Sequence, residues 1–285
     1  MNNIFEIKSP FNYAGSKQNT LEFLFSYFPK DKEIFFDMFC GGGSVSLTAL
    51  NFYDKVVMND VLTPLINVYK ALKYLPYDYI YENILKLKVE KTDKESYLRL
   101  RKIFNEDKNN PLKFFACLCH CANNLIRFNS KLEFNQAFGN RTYNPNTFKK
   151  LKIYYDIIYH NQKLKLLNFN FFDLWNQIKH CDNLDKVFFY FDPPYIQTAA
   201  GYNVYWNENN EKLFYDMIDE MIDKKLSFAI SNTIRHKGIL NPSYDRFKNL
   251  NIIEVPVFFN KAKTINKNCV NEAKEDSIEI LILPK

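Results

Sequence analysis

Short apolar runs recur along this chain, each stopped by a polar or glycine-bearing turn, and they predict its strands. Ile34-Phe35-Phe36 runs into Asp37 and a glycine cluster, and Lys55-Val56-Val57-Met58 runs into Asn59-Asp60. Leu164 to Leu167 is a shorter run, Val187 to Phe191 stops at Asp192, and Leu226 to Ile230 stops at Ser231-Asn232. Ile252 to Phe259 is expected to pair with Ile278 to Leu283, with Pro256 confining the first to a sheet edge. Helical stretches fall between the runs, at about 16–28, 44–52, 62–74 and 208–224. Strands alternating with helices predict βαβ units and a mostly parallel sheet. Ligands of such sheets sit beyond the carboxyl ends of the strands. Asp37, Asp60, Asp192 and Ser231-Asn232 all fall at such ends.

The segment 76–160 breaks the alternation. It is rich in Lys, Tyr and Asn and reads as helical with a loop over 128–147. The predicted division is one α/β domain made of 1–75 and 161–285, carrying an inserted subdomain at 76–160. The 285 residues suffice for that arrangement. Charge bears on the insert. The net charge is +6, and nine Lys and Arg from Lys113 to Lys165 face only Glu133 and Asp156. Such a surface suits phosphate groups, or it is simply solvated. The opening residues have neither a basic start nor an apolar run, and no apolar stretch is long enough to span a bilayer. With six cysteines, the expectation is a cytoplasmic protein with reduced thiols and no membrane partner.

Phe39-Cys40-Gly41-Gly42-Gly43-Ser44 follows a predicted strand and precedes a helix. Glycines there permit a tight turn and close backbone approach to a ligand. Such turns serve dinucleotides, phosphates and S-adenosylmethionine, or are purely structural. A phosphate-binding loop would need Lys after the last glycine, where Ser44 stands, and the third glycine of a dinucleotide fingerprint is Ser46. Asp60 ends the next strand, where an acid accepts hydrogen bonds from ribose hydroxyls.

Asp192-Pro193-Pro194-Tyr195 carries the chemistry. Two prolines fix φ and remove two backbone donors. A carboxylate, fixed carbonyls and an aromatic face suit a planar base bearing an amino group. If Asp192 and the Pro193 carbonyl each accept one N–H, the amino nitrogen moves toward tetrahedral geometry and its lone pair becomes available for methyl transfer. Tyr195 can stack on the base, which must first leave the duplex. The plainer alternative is a Pro-Pro turn capped by Asp192.

These motifs, with Phe11-Asn12-Tyr13-Ala14-Gly15-Ser16-Lys17 before them and Asn123-Asn124-Leu125-Ile126-Arg127-Phe128-Asn129, Glu133-Phe134-Asn135 and Phe138-Gly139 between them, resemble the DNA adenine methyltransferase (Dam-like) family. The resemblance covers most of the chain. It implies a Rossmann-like methyltransferase sheet with an inserted, mostly helical DNA-recognition subdomain, in a prokaryotic or phage-encoded enzyme. It implies methyl transfer from S-adenosyl-L-methionine to adenine N6 in double-stranded DNA, at Asp192, Pro193, Pro194 and Tyr195. Tyr13 and Lys17 would close the cofactor site and Phe39, Gly41 and Gly43 would line it. Asp37 would lie near the methionine amino group, Asp60 at the ribose and Asp173 near the cofactor adenine, with Asp192 touching cofactor and base. Asn123, Leu125, Arg127 and Asn129 would contact DNA, Arg127 foremost. A cognate restriction endonuclease is an implied partner, as in restriction-modification systems. Tyr13 stands for the family's usual Trp, Ser16 for a Gly and Asp37 for a Glu. The stretch Ile196 to Asn203 also departs, so no recognition sequence is inferred.

Other readings stand lower. Cys117-x-Cys119-His120-Cys121 lacks a Cys-x-x-Cys pair and a second ligand cluster, so no metal is expected. Cytosine ring-carbon methylation needs a nucleophilic Cys after Pro, and none of the six follows one. The amino group of cytosine fits the same grip, and a non-catalytic DNA-binding relative is the other alternative. Lys261, Lys263 and Lys267 mark a polar loop that contacts phosphate or is solvated.

Overall fold

The computed structural model describes residues 4–5, 7–11, 13, 15–195, 206–236, 238–256 and 277–285. Its strands are β1 (Ile34–Asp37), β2 (Lys55–Asn59), β3 (Leu164–Leu167), β4 (Val187–Phe191), β5 (Ser227–His236), β6 (Ile239–Leu240), β7 (Asn251–Glu254) and β8 (Ile278–Leu283). They form one sheet in the order β3-β2-β1-β4-β5-β8-β7, with β6 hairpinned onto β5. β3, β2, β1, β4 and β5 pair in parallel, whereas β8 runs antiparallel to β5 and to β7. The edge position expected from Pro256 is observed: β7 is outermost and ends at Glu254. The rest of that expected run, and the loop with Lys261, Lys263 and Lys267, lie outside the described residues.

Parallel strands buried on both faces read as continuous apolar runs, and Val187–Phe191 is buried throughout. Alternate residues serve opposite faces. Phe35, Phe188, Tyr190, Ala229 and Leu281 join one apolar cluster, and Phe36, Phe189, Phe191, Phe228 and Ile280 the other. The first cluster takes in α1 (Leu21–Tyr27), α2 (Ser44–Ala49) and α3 (Thr63–Tyr74); the second takes in α8 (Phe171–Ile178), α9 (Glu208–Asp223) and α10 (Tyr244–Phe247). The result is the expected Rossmann-like α/β architecture. The predicted helix over 16–28 is a short 3₁₀ turn, Lys17–Asn19, followed by α1.

Between α3 and β3 lie α4 (Tyr77–Lys86), α5 (Lys94–Glu106), α6 (Pro111–His120) and α7 (Pro145–Ile158). Local chemistry sets their starts. Asn110 accepts from Leu112 and Lys113 N–H ahead of Pro111, and Asn144 forms a capping box with Thr147 ahead of Pro145. Their apolar faces share the first cluster with the sheet instead of forming a separate core. The expected 128–147 loop is in part a hairpin. Cys121 bridges Phe138, Phe128 bridges Phe134, and Leu132 turns with φ +57° at the tip. Cys117, Cys119 and Cys121 are buried, and burial raises all three thiol pKa values. His120 is engaged on both ring nitrogens, by Val89 N–H at 3.2 Å and the Arg141 carbonyl at 3.0 Å.

Candidate active site

The chain reverses direction across the sheet between β1 and β4, the topological switch point where α/β sheets hold ligands. A cavity of about 540 Å³ opens there, within the usual range of about 300–1,000 Å³ for small-molecule sites. On its β1–β2 side is the glycine turn. Gly41 at φ +44° and Gly43 at φ +77° adopt left-handed backbone that disfavours any side chain. A Cβ on Gly41 would lie 2.8 Å from Tyr13 Cε1, and one on Gly43 2.7 Å from the Tyr69 hydroxyl. Gly41 N–H donates to Asp60 Oδ2 at 3.0 Å, and Leu62 N–H donates to Oδ1 at 2.9 Å. Asp60 therefore braces the turn, and its oxygens keep further lone pairs toward the cavity. The Tyr69 hydroxyl donates to Gly41 O at 2.8 Å, while the Tyr154 hydroxyl and Ser9 Oγ donate to Gly42 O at 3.0 and 2.9 Å.

Asp37, at the end of β1, is 1% exposed. Ser46 Oγ donates to its Oδ2 at 2.5 Å, and Oδ1 has no partner. Burial raises the Asp37 pKa to about 8; the Ser46 hydrogen bond and the nearby Phe39 backbone oppose the shift, and the Asp192 and Asp60 carboxylates add to it. Phe39 completes this side, with ring centroids 5.5 Å from Phe171 and 5.7 Å from Trp206.

Asp192, Pro193, Pro194 and Tyr195 line the same cavity beyond β4. Lys17, 7% exposed, places Nζ 2.9 Å from Asp192 Oδ1 and donates to the Tyr195 hydroxyl at 3.0 Å and to Gly15 O at 3.0 Å. The Tyr195 hydroxyl in turn donates to Asp192 Oδ1 at 3.2 Å. Burial pulls the Lys17 pKa down, but Asp192 outweighs it with help from its neighbours, so the ammonium is retained. Burial raises the Asp192 pKa, against the opposing pull of Lys17 and Tyr195. Lys17, expected to close the cofactor site, thus sits on the carboxylate of the Pro-Pro motif.

Asp173 is exposed in the first turn of α8 and does not line the cavity; Phe169, Asn170 and Phe171 do. Sequence reasoning missed Asn59, whose amide joins Met38 O to Phe169 O at 3.0 Å each, and it missed Ser46, Tyr69 and Tyr154. A buried polar residue near a glycine turn was the available signal for Ser46. Nothing local marked the tyrosines.

The Asn123–Asn129 segment leaves a 3₁₀ turn, Ala122–Asn124, and forms the first arm of the hairpin, bridged at Phe128. Ile126 and Phe128 are buried, whereas Arg127 is exposed and Leu125 is half-buried. Asn123 and Asn124 both take positive φ, at +56° and +54°. Asn129 is committed to the hairpin tip. Its Oδ1 accepts from Lys131 and Glu133 N–H, and its Nδ2 donates to Glu133 Oε2 at 2.9 Å. Asn124 meets Leu118 O and Arg141 Nη1. Among the described residues no helix is long and apolar enough to cross a membrane, and no cluster of His, Cys, Asp and Glu is arranged to hold a metal ion.

Residues 13–274 match the model of the D12 class N6 adenine-specific DNA methyltransferase family. The chain is 28% identical to modification methylase StsI of Streptococcus sanguinis, over 97% of this chain and 42% of that protein. It is 29% identical to type II methyltransferase M.FokI of Planomicrobium okeanokoites, over 82% of this chain and 37% of that protein. It thus spans about two fifths of the length of these relatives. With the DNA adenine methylase of Vibrio cholerae it shares 26% identity over 95% of both chains.

Proposed function

Because the chain belongs to the D12 class N6 adenine-specific DNA methyltransferase family, we propose that it transfers the methyl of S-adenosylmethionine to adenine N6 in duplex DNA, with the target base turned out of the helix. The observation that carries this reading is the Lys17–Asp192–Tyr195 constellation lining one cavity with the glycine turn. The residues fit the cofactor. Asp37 Oδ1 is a buried oxygen without a partner, suited to an ammonium; Asp60 keeps lone pairs for hydroxyls; Phe39 and Phe171 present flat apolar faces. When bound, the cofactor supplies an electrophilic sulfonium methyl.

The chain's own residues do the rest. An exocyclic amino nitrogen is a weak nucleophile because its lone pair is delocalised into the ring. Asp192 accepts one of its N–H bonds and the Pro193 carbonyl the other, which draws the nitrogen toward tetrahedral geometry. Lys17 and Tyr195 both occupy Asp192 Oδ1. Oδ2 has no hydrogen-bond partner among the described residues and is the oxygen offered to the base. Lys17 also opposes the rise that burial imposes on the Asp192 carboxyl pKa. Tyr195 offers a stacking face, worth about 1–3 kcal/mol per base in comparable sites. The hairpin with Asn123, Leu125 and Arg127 is the proposed DNA-contacting surface, with Asn129 shaping its tip. The modification methylases among the relatives make a restriction endonuclease of matching specificity the expected cellular counterpart.

The test uses duplex DNA and S-adenosylmethionine with a labelled methyl, followed by digestion to nucleosides. Label is expected in N6-methyldeoxyadenosine. Label in N4-methyldeoxycytidine would replace adenine by cytosine, and cofactor binding without any transfer would make the protein a non-catalytic relative.

A further inference from the structure

Two residues that line the cavity, Asp37 and Thr233, each carry a buried oxygen without a partner, Oδ1 and Oγ1 respectively. They stand on opposite sides of Asp192. β4, which ends at Asp192, lies between β1, which ends at Asp37, and β5, which carries Thr233. Asp37 is accounted for by the cofactor. Thr233 is not, and no motif reading singled it out.

Thr233 is 2% exposed, and its backbone is clamped. Its N–H donates to Asn232 Oδ1 at 2.8 Å, and its carbonyl accepts from Asn241 Nδ2 at 2.9 Å. Asn232 is itself fixed by the Tyr215 hydroxyl at 2.9 Å and by Asn241 at 3.1 Å. The β5–β8 register shifts between Thr233 and Arg235. Irregularities of this kind re-aim side chains and gather beside active sites. The fold therefore holds one hydroxyl rigidly at the cavity wall while leaving it unsatisfied, which is unfavourable unless a ligand meets it. That wall is on the far side of Asp192 from the glycine turn, in the half left for the base.

Building on the adenine reading above, we propose that Thr233 is a positioning residue for the target base, donating its hydroxyl hydrogen to a ring nitrogen of adenine. Adenine presents N1, N3 and N7 as bare acceptors. A fixed donor to one of them orients the ring so that its amino group meets Asp192 and the Pro193 carbonyl.

The test compares wild type, Thr233→Val and Thr233→Ser on duplexes carrying adenine, 1-deazaadenine, 3-deazaadenine or 7-deazaadenine at a site the wild type methylates. Valine keeps the shape and deletes the hydroxyl. Its kcat/KM on adenine is expected to fall roughly three- to tenfold, with Ser recovering to within about twofold, the scale of one neutral hydrogen bond. Cofactor affinity should not change. One deaza base should cost the wild type a similar factor and cost the Val variant nothing more. Val activity equal to wild type, or deaza penalties identical in both enzymes, overturns the inference while the functional reading stands. Loss of cofactor affinity in the Val variant assigns Thr233 a purely structural role and also overturns it. A wild type inactive on every adenine duplex overturns the functional reading and this inference together.

Discussion

The two sides of the cavity are held by different means. On the β1–β2 side the backbone itself is the scaffold: Gly41 and Gly42 carbonyls accept from Tyr69, Tyr154 and Ser9, and Asp60 accepts from two N–H groups. Asp37 there is 1% exposed. On the β4–β5 side a side-chain ion pair replaces the backbone frame, and the Asp192 side chain is 21% exposed. The first side is preformed, so damage to it should cost stability and cofactor binding together. The second is preset but open, so damage to it should cost rate first.

The largest effect belongs to Asp192. Asp192→Asn keeps the size but weakens the acceptor, and kcat is expected to fall by about 10³-fold or more with cofactor affinity retained. Asp192→Ala breaks the comparison in an informative way. It leaves the buried Lys17 ammonium without its carboxylate, so stability should also fall, by about 1–3 kcal/mol after discounting for the partial exposure of Asp192. An Asp192→Asn variant with normal single-turnover rates would remove Asp192 from the chemistry.

Gly43→Ala tests the preformed side. The substitution meets φ +77° and the Tyr69 hydroxyl at 2.7 Å. It is expected to cost about 1–3 kcal/mol, some 2–4 °C of melting temperature per kcal/mol, and to weaken cofactor binding in parallel. Thermal melts and calorimetry on one preparation decide it. Full stability with lost binding would mean that the turn is not a rigid frame.

Asp37 gives the pH signature of that side. Its pKa is raised to about 8 in the folded protein by burial, above about 3.9 for an exposed Asp. Between those values the folded state binds a proton that the unfolded state does not, so this group's contribution to stability falls as pH rises toward 8. A ligand ammonium favours the carboxylate. Cofactor binding near pH 7 should therefore release up to about one proton and tighten from pH 6 toward pH 8. Calorimetry in buffers of different ionisation enthalpy measures the release, which Asp37→Asn should abolish. Equal release in the variant would place the proton elsewhere.

How legible these two sides were in the sequence follows from the range of the interactions that build them. The cores of the strands, the glycine turn and Asp192-Pro193-Pro194-Tyr195 are short-range patterns that stand where predicted, but β5 runs on to His236, so Ser231-Asn232, expected at a strand end, lie mid-strand, and β6 carried no apolar-run signal of its own. Lys17 was identified, but its partner was not, because Lys17 and the Tyr195 it also contacts are 178 positions apart. Tyr154 reaches Gly42 across 112 positions from a helix whose pattern says only that one face is apolar. Thr233 is one more polar residue along β5 until its burial and missing partner are seen. The hairpin tip was read as loop because its turn uses Leu132 at positive φ, a residue that signals no turn.

The smallest effect is the one that joins the inserted segment to the glycine side. Tyr154 lies on α7, within the segment whose hairpin is the proposed DNA surface, yet its hydroxyl donates to Gly42 O in the glycine turn. Ser9 Oγ donates to the same carbonyl, so Tyr154→Phe leaves that acceptor satisfied and opens no cavity. The cost should be about 0.5–1 kcal/mol, a two- to fivefold loss of cofactor affinity. If the segment and the turn are one mechanical unit, the same variant should lose part of the mutual enhancement between cofactor and DNA binding, since such coupling is reciprocal. Titrating each ligand in the presence and absence of the other measures that term. A coupling factor equal to that of wild type would leave Tyr154 as a brace on the glycine turn alone, and would separate the inserted segment from that turn more sharply than their shared apolar core implies.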